Sequence, residues 1–510
     1  SMQYCDLDIE EGEYRPSVIV VFGGYGDLAQ RKLLPTLYSM FKNGVLTGES
    51  SILGFGRREY DDRSYREIVR KAIRESEEPE EPDKELLGAF CARTFFVQGR
   101  IDRSEEYGEL VRRVEEQRGS KRLDVLYYLA IPSSLYMPAV QAIQRSGLET
   151  APESSKIVIE KPFGRNLATS MELNAAVRKV FEEEQVYRMD HYLGKETVQN
   201  IIFFRFANSM FEPMWNRNFI DNVQITVAED IGVGHRGRFY EKTGVIRDIF
   251  QNHLLQMLSL IAMEPPASFR AKEVRDEKVK VLRALRHVQY EEVADYSVAG
   301  QYISGRLDEE PVPGYREEDD VASDSTVPTM FAAKLFVENW RWAGVPFYVR
   351  TGKRLPRKVT EAVIQFSQPP LKLFRDDCKP LEPSYLTLTV QPEEKISLHL
   401  GVKYPESANV LVPVDLSFRY RDYFERDPLS PYERLLRDCL LGDQSLFVRQ
   451  DDVEAAWEFS DPFSARWDEC RCAEIYPAGG AKPLAEWRRR LARGFDAEAV
   501  RQEAAKLLPV

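Results

Sequence analysis

Basic charge is in deficit, histidine is scarce, cysteine is sparse, and no apolar run is long enough to cross a bilayer. Lys and Arg number 70 against 82 Asp and Glu, a formal net charge of -12. A surface of that sign repels phosphate backbones and anionic headgroups, so neither nucleic acid nor membrane is an expected partner. Any phosphorylated ligand would need a local cluster of cations. The opening Met2-Gln3-Tyr4-Cys5-Asp6-Leu7-Asp8 is acidic and lacks an apolar core, which is not the pattern of a signal peptide. Of the six cysteines only Cys470 and Cys472 lie close together, with no histidine beside them. No metal site is expected, and reduced thiols in a cytoplasmic protein are. The five histidines, His191, His235, His253, His287 and His399, leave few candidates for a base at neutral pH.

What is present is an ordinary globular composition, 43% hydrophobic and 30% charged over 510 residues, too long for a single core. Ser17 to Phe22 reads as a buried strand, and apolar residues then recur at helical spacing to Phe41, with Pro35 expected to bend or break that helix. Strands are expected at Ser51 to Phe55, Phe95 to Gln98, Val125 to Ile131 and Lys156 to Ile159, with amphipathic stretches between them and a helix over Ser170 to Glu184. That alternation specifies a doubly wound parallel sheet closing near Asp190. Beyond it, Val223 to Ala228, Leu335 to Glu338, Phe347 to Arg350, Ala362 to Phe366, Tyr385 to Gln391 and Lys395 to Leu400 are strand-like. They predict a larger α+β domain on a mainly antiparallel sheet with helices on one side. The acidic Glu309 to Ser325 reads as a surface loop.

The first strand runs into Gly23-Gly24-Tyr25-Gly26-Asp27-Leu28-Ala29, in which Gly24, Gly26 and Ala29 fit the dinucleotide fingerprint of a Rossmann-like domain. Glycine lets the backbone turn and a pyrophosphate approach the helix N-terminus; a tight turn that binds nothing is the competing reading. The second strand ends in Arg57-Arg58 where an NAD site usually offers a carboxylate. Either this is a solvated loop or it reads a 2'-phosphate, hence NADP. Lys161, after the strand Lys156 to Ile159, stands where such sheets bind ligands. Asp190-His191-Tyr192-Leu193-Gly194-Lys195 gathers an acid, an imidazole, a phenol and an amine that suit a phosphate dianion, or form a polar linker. His253 lies in the apolar helical stretch Ile249 to Met263, where a satisfied core histidine is the usual occupant.

These segments, with Glu160-Lys161-Pro162-Phe163-Gly164 and Ile246-Arg247-Asp248-Ile249-Phe250-Gln251-Asn252-His253-Leu254-Leu255-Gln256, resemble the glucose-6-phosphate 1-dehydrogenase family across nearly the full length. The resemblance implies oxidation of glucose 6-phosphate to 6-phosphogluconolactone with reduction of NADP, the opening step of the oxidative pentose phosphate pathway. It makes His253 the base and Asp190 its partner, and gives the sugar phosphate to His191, Tyr192 and Lys195. Glu229 and Asp248 would bind sugar hydroxyls, Lys353 and Lys358 would be further substrate lysines, and Lys161 would touch both substrate and cofactor across a cis bond to Pro162. Gly23, Gly24, Tyr25, Gly26, Asp27, Leu28, Arg57 and Tyr128 would contact NADP. It also implies a homodimer or homotetramer, with residues 1-190 as the NADP-binding domain and 191-510 as the substrate-binding and oligomerisation domain.

Two departures stand out. Tyr25 replaces a small or hydroxyl residue, and Thr389 and Val363 stand where some members carry arginines for a second, structural NADP, so that site is not expected. The alternative is a sugar oxidoreductase of the glucose-fructose oxidoreductase type, which shares the Glu-Lys-Pro motif but lacks the signature of Asp190 to Lys195.

Overall fold

The computed structural model describes residues 14–76, 81–371, 383–405, 411–423, 429–470 and 474–480. The opening residues Met2 to Asp8, with Cys5, Cys378 and Cys472, lie outside them. The chain divides into two compact units: Ser1–Lys195 with Ser268–Arg275 and Leu429–Glu454, and Glu196–Ala267 with Asp276–Pro428 and Ala455–Val510.

The first unit is built on six strands, β1 (Ser17–Phe22), β2 (Ser51–Gly56), β3 (Thr94–Gln98), β4 (Asp124–Leu129), β5 (Ser155–Glu160) and β6 (Val186–Met189). All pair in parallel, in the order β3-β2-β1-β4-β5-β6. Every residue of β1 and β2 is buried, which is why these strands read as unbroken apolar or small runs instead of alternating ones. The order reverses between β1 and β4, the switch point at which open α/β sheets hold their ligands. Pro35 breaks nothing. A five-residue π-helix, Ala29–Leu33, leads straight into the α-helix Leu34–Lys42, and the change from i→i+5 to i→i+4 bonding falls beside the proline, which has no N–H to bond the preceding turn. The helix read at Ser170 to Glu184 runs over Leu167–Arg178, because Asn166 caps it through a capping box with Thr169.

The later segment Leu429–Glu454 packs on the β5–β6 side of this sheet. The Lys156 ammonium, from β5, donates to the carbonyls of Cys439 (2.7 Å) and Leu440 (3.0 Å) at the C-terminus of the helix Pro431–Leu441, where the helix dipole favours a cation. The Gln444 amide bonds the carbonyls of Glu183, Glu184 and Val186. Cys91 and Cys439 are buried free thiols, and burial pushes Cys439 up to about 12.

The second unit carries a nine-stranded sheet of β7 (Ile220–Ala228), β8 (Ser297–Ile303), β11 (Met330–Phe336), β12 (Pro346–Gly352), β13 (Val359–Phe366), β14 (Tyr385–Gln391), β15 (Lys395–Lys403), β16 (Leu411–Arg419) and β17 (Glu474–Pro477), with a two-stranded ribbon of β9 (Gly305–Leu307) and β10 (Glu310–Val312). The order is β16-β15-β14-β13-β7-β12-β11-β8-β17, antiparallel except for β7–β12 and β8–β17. Strand β11 starts five residues before the Leu335 expected from sequence, because Met330–Ala333 is buried throughout and shows no alternation. The stretch expected as a surface loop begins in the exposed ribbon, but Tyr315 within it is fully buried.

The helix Leu255–Ala262 is buried at every residue. Its last carbonyls cannot reach water, and side chains satisfy them instead: Arg205 bonds Leu260 (3.1 Å), the Trp215 indole Ile261 (2.8 Å) and the Trp342 indole Ala262 (2.8 Å). That anchors the helix that continues directly from the segment bearing His253.

Candidate active site

In the first unit the chain leaves β1 through Gly23, whose φ is +79°. A Cβ there would lie 2.5 Å from the Ala130 carbonyl oxygen, and one on Gly24 would lie 2.7 Å from the Gly54 Cα. Backbone meets backbone at both places, so only glycine fits. Gly26 N–H donates to Gly23 O (2.8 Å), closing the turn, and helix begins at Asp27 and Leu28. The turn therefore presents unsatisfied helical N–H groups at the switch point, a cradle suited to a pyrophosphate. The Tyr25 ring packs over Gly56 and edge-on to Tyr60 at 5.8 Å, with the Arg58 guanidinium 5.1 Å above it. Arg57 is exposed at the end of β2, its own carbonyl held by the Gln98 amide.

At the end of β5, Glu160 is buried and Lys161 half-buried, and the Lys161–Pro162 bond is cis. The Tyr128 hydroxyl donates to the Glu160 carboxyl, and the Tyr432 hydroxyl bonds it too. Burial pushes Glu160 up to about 7, although the two hydroxyls and the Lys161 charge oppose the rise. Tyr128, assigned to the cofactor by resemblance, thus has its hydroxyl committed to Glu160.

The turn after β6 is wound by backbone bonds from Leu193 N to Asp190 O (3.0 Å), Gly194 N to His191 O (3.3 Å) and Lys195 N to Tyr192 O (3.2 Å). Fully buried Asp190 accepts from the Tyr192 N–H through Oδ1 at 3.0 Å. The Lys195 ammonium lies 4.1 Å over the Tyr192 ring, and His191 sits 5.0 Å from the same ring. One short turn gathers the imidazole, the phenol and the ammonium.

In the second unit, Glu229 follows β7 and Lys353 follows β12. These strands are parallel neighbours, and Glu229 N donates to Gly352 O (2.9 Å) while Leu355 N donates to Glu229 O (2.9 Å). The two strand ends hold the Lys353 ammonium 2.6 Å from Glu229 Oε2. Asp248 and buried His253 lie on a π-helix, Ile246–Leu254. Because a π-helix bonds i to i+5, residues five apart share its face, which an α-helix would not allow. Tyr240 is buried and faces the Asp248 and Glu229 carboxylates, with Lys353 5.4 Å over its ring; burial, then those charges, hold its phenol well above the usual range. Lys358 is exposed in the turn before β13. Asp190 and His253 belong to different units. Glu160, Tyr432 and Tyr240 were not singled out from sequence: Glu160 was read only as part of a motif, and the two tyrosines carry no local signal.

Two family models tile the chain, the glucose-6-phosphate dehydrogenase NAD binding domain over residues 20–200 and the glucose-6-phosphate dehydrogenase C-terminal domain over residues 202–493. The chain belongs to the glucose-6-phosphate dehydrogenase family. Curated glucose-6-phosphate 1-dehydrogenases resemble it over most of their length. That of Mycolicibacterium smegmatis is 44% identical, covering 92% of this chain and 94% of the relative, and that of Bacillus subtilis is 40% identical, covering 88% and 91%. Among solved structures, a glucose-6-phosphate dehydrogenase in complex with its substrate glucose 6-phosphate matches with a TM-score of 0.85 at 33% identity, covering 95% of this chain and 99% of that one. A glucose-6-phosphate 1-dehydrogenase from Mycobacterium avium matches with a TM-score of 0.79 at 34% identity, covering 92% and 95%. The glucose-fructose oxidoreductase alternative is not favoured, since both halves match the glucose-6-phosphate dehydrogenase models. No helix among the described residues is long and apolar enough to cross a membrane.

Proposed function

We propose that this protein oxidises glucose 6-phosphate at C1 to 6-phosphoglucono-1,5-lactone with reduction of NADP+ to NADPH, the first step of the oxidative pentose phosphate pathway. The observation that carries this reading is the near-full-length similarity to curated glucose-6-phosphate 1-dehydrogenases. The glycine cradle fits a dinucleotide, because the space a Cβ would fill at Gly23 and Gly24 is closed by backbone on the sheet side. When bound, NADP+ supplies the acceptor for the C1 hydride. Arg57 carries the 2'-phosphate reading, and the residues from Gly23 to Leu28 hold the pyrophosphate.

His253 takes the proton from the C1 hydroxyl, so that one proton and one hydride leave the closed pyranose ring and C1 becomes the lactone carbonyl. Asp190 orients the imidazole and stabilises its charged form, as a buried acceptor does for a general base. In a chain of net charge -12 the phosphate dianion needs dedicated partners. His191, Tyr192 and Lys195 take that role, with Lys161 reaching substrate and cofactor, Glu229 and Asp248 accepting from sugar hydroxyls, and Lys353 and Lys358 completing the substrate set. The Lys353–Glu229 pair aims the Glu229 carboxylate. The protein works as a homodimer or homotetramer in the cytoplasm. A steady-state assay with glucose 6-phosphate and each cofactor, read by nicotinamide absorbance, tests the reading. NADP-dependent turnover is expected, and no turnover with either cofactor would overturn it.

A further inference from the structure

Glu160 has no part in the chemistry just described, yet it is 6% exposed at the C-terminal end of β5, one residue before Lys161. Two phenols converge on its carboxyl from distant parts of the first unit. Tyr128 comes from β4, and Tyr432 comes from the first turn of the helix Pro431–Leu441, whose N-terminus is fixed by the Ser430 cap. The Tyr432 ring lies nearly parallel to that of His191, at 11° with centroids 6.3 Å apart. The neighbouring Pro431 backbone presses on the same turn so closely that a Cβ on Gly194 would fall 2.5 Å from the Pro431 carbonyl oxygen. The segment bearing Tyr432 is thus the seat of the turn from Asp190 to Lys195, and Glu160 ties that seat to the strand end bearing Lys161.

We propose that Glu160 is a positioning residue for the sugar-phosphate site, its carboxyl holding Tyr432, and through the Tyr432 ring His191, in register with Lys161. This rests on the reading of Lys161 and His191 as substrate contacts. The groups facing the carboxyl are Tyr128, Tyr432 and Tyr136, the Lys161 ammonium and the Asp190 carboxylate. Burial and Asp190 favour its protonated form, while Lys161 and the hydroxyls of Tyr128 and Tyr432 favour the ionised one, so it changes charge close to neutrality.

The test compares Glu160→Gln and Tyr432→Phe with the unmodified protein, by calorimetric binding of glucose 6-phosphate and by pH profiles of kcat/KM from about pH 5.5 to 9. In both variants KM and Kd for glucose 6-phosphate are expected to rise about tenfold while kcat stays within about threefold. Glu160→Gln should remove one ionisation near neutrality and leave that of the base. Tyr432→Phe should move the same ionisation to higher pH, because a donor to the charged form is lost. Unchanged KM, Kd and pH profile with only a lowered melting temperature would overturn the proposal, and Tyr432→Phe decides alone if Glu160→Gln does not fold. Lys161→Ala and His191→Asn are the controls: if neither raises KM, the assignment of the phosphate contacts has failed, whereas if they do and the two test variants do not, the positioning role has failed.

Discussion

Replacing Gly24 with alanine is a severe local test of the cofactor cradle. The added Cβ would lie 2.7 Å from the Gly54 Cα, 2.9 Å from the Tyr65 hydroxyl oxygen and 3.3 Å from the Val21 carbonyl oxygen. None of these can yield cheaply. Gly54 belongs to the fully buried β2, and Tyr65 is itself fully buried with its hydroxyl donating to the Gly24 carbonyl at 3.1 Å. Relief requires the turn to shift away from β2, an overpacking cost of about 1–3 kcal/mol. For a unit of this size that lowers the melting temperature by roughly 2–12 °C. If the shift must be reversed to seat the dinucleotide, NADPH affinity falls by about 5- to 150-fold. Gly48→Ala is the control, since a Cβ there meets nothing within 4 Å, and it should change stability by less than about 0.5 kcal/mol. Thermal melts followed by circular dichroism and NADPH fluorescence titration measure both effects. A Gly24→Ala protein that melts and binds NADPH as Gly48→Ala does would mean that the turn does not require glycine at position 24.

Arg57→Ala should weaken NADP binding by about 10- to 150-fold, the loss of a charge-assisted hydrogen bond, while leaving NAD nearly untouched; equal losses for the two cofactors would show that Arg57 does not read the 2'-phosphate. Lys353→Met and Glu229→Gln should be coupled in a double-mutant cycle of urea unfolding by about 1–2 kcal/mol, since the pair is only 10% and 23% exposed; additive effects would mean that the ion pair orders neither strand end. Stability should also carry a trace of Glu160. Its folded value is raised from 4.5 to about 7, so its contribution is present at low pH and is lost as pH climbs through that window, by up to about 3 kcal/mol. The melting temperature of Glu160→Gln minus that of the unmodified protein should therefore grow from pH 5 to pH 7 and then level off; a constant difference would mean the carboxyl is not raised.

Much of the first unit is legible in sequence because its strands are short apolar runs punctuated by glycine and separated by amphipathic helices. The cradle follows from the same punctuation. The second sheet is less so. Strand β8 reads Ser-Val-Ala-Gly-Gln-Tyr-Ile, buried at its first six residues, so that no alternation survives, whereas β16 alternates Val412, Val414, Leu416 and Phe418 with Pro413, Asp415, Ser417 and Arg419 and was still not read as a strand, lying as a mostly exposed edge. The return of Leu429–Glu454 to the first unit rests on Lys156 and Gln444 finding backbone carbonyls, contacts that any sequence of similar composition could offer. The π-helix carrying Asp248 and His253 also leaves no local mark: periodicity near 3.6 separates two residues that i to i+5 bonding puts on one face. Sequence pattern alone therefore left His253 as a core histidine, and only the family resemblance made it a base. The surroundings of Glu160 were out of reach for another reason, since Tyr432 meets it only after the chain has built most of the second unit.

His253 is proposed to act on the C1 proton in the transition state. His253→Asn in the full-length protein, with kcat from the NADPH assay and the Kd of glucose 6-phosphate from calorimetry, tests it most directly. Turnover should fall by several orders of magnitude while Kd stays within about threefold; a variant that retains turnover, or loses binding and turnover in equal measure, would contradict the assignment of His253 as the base.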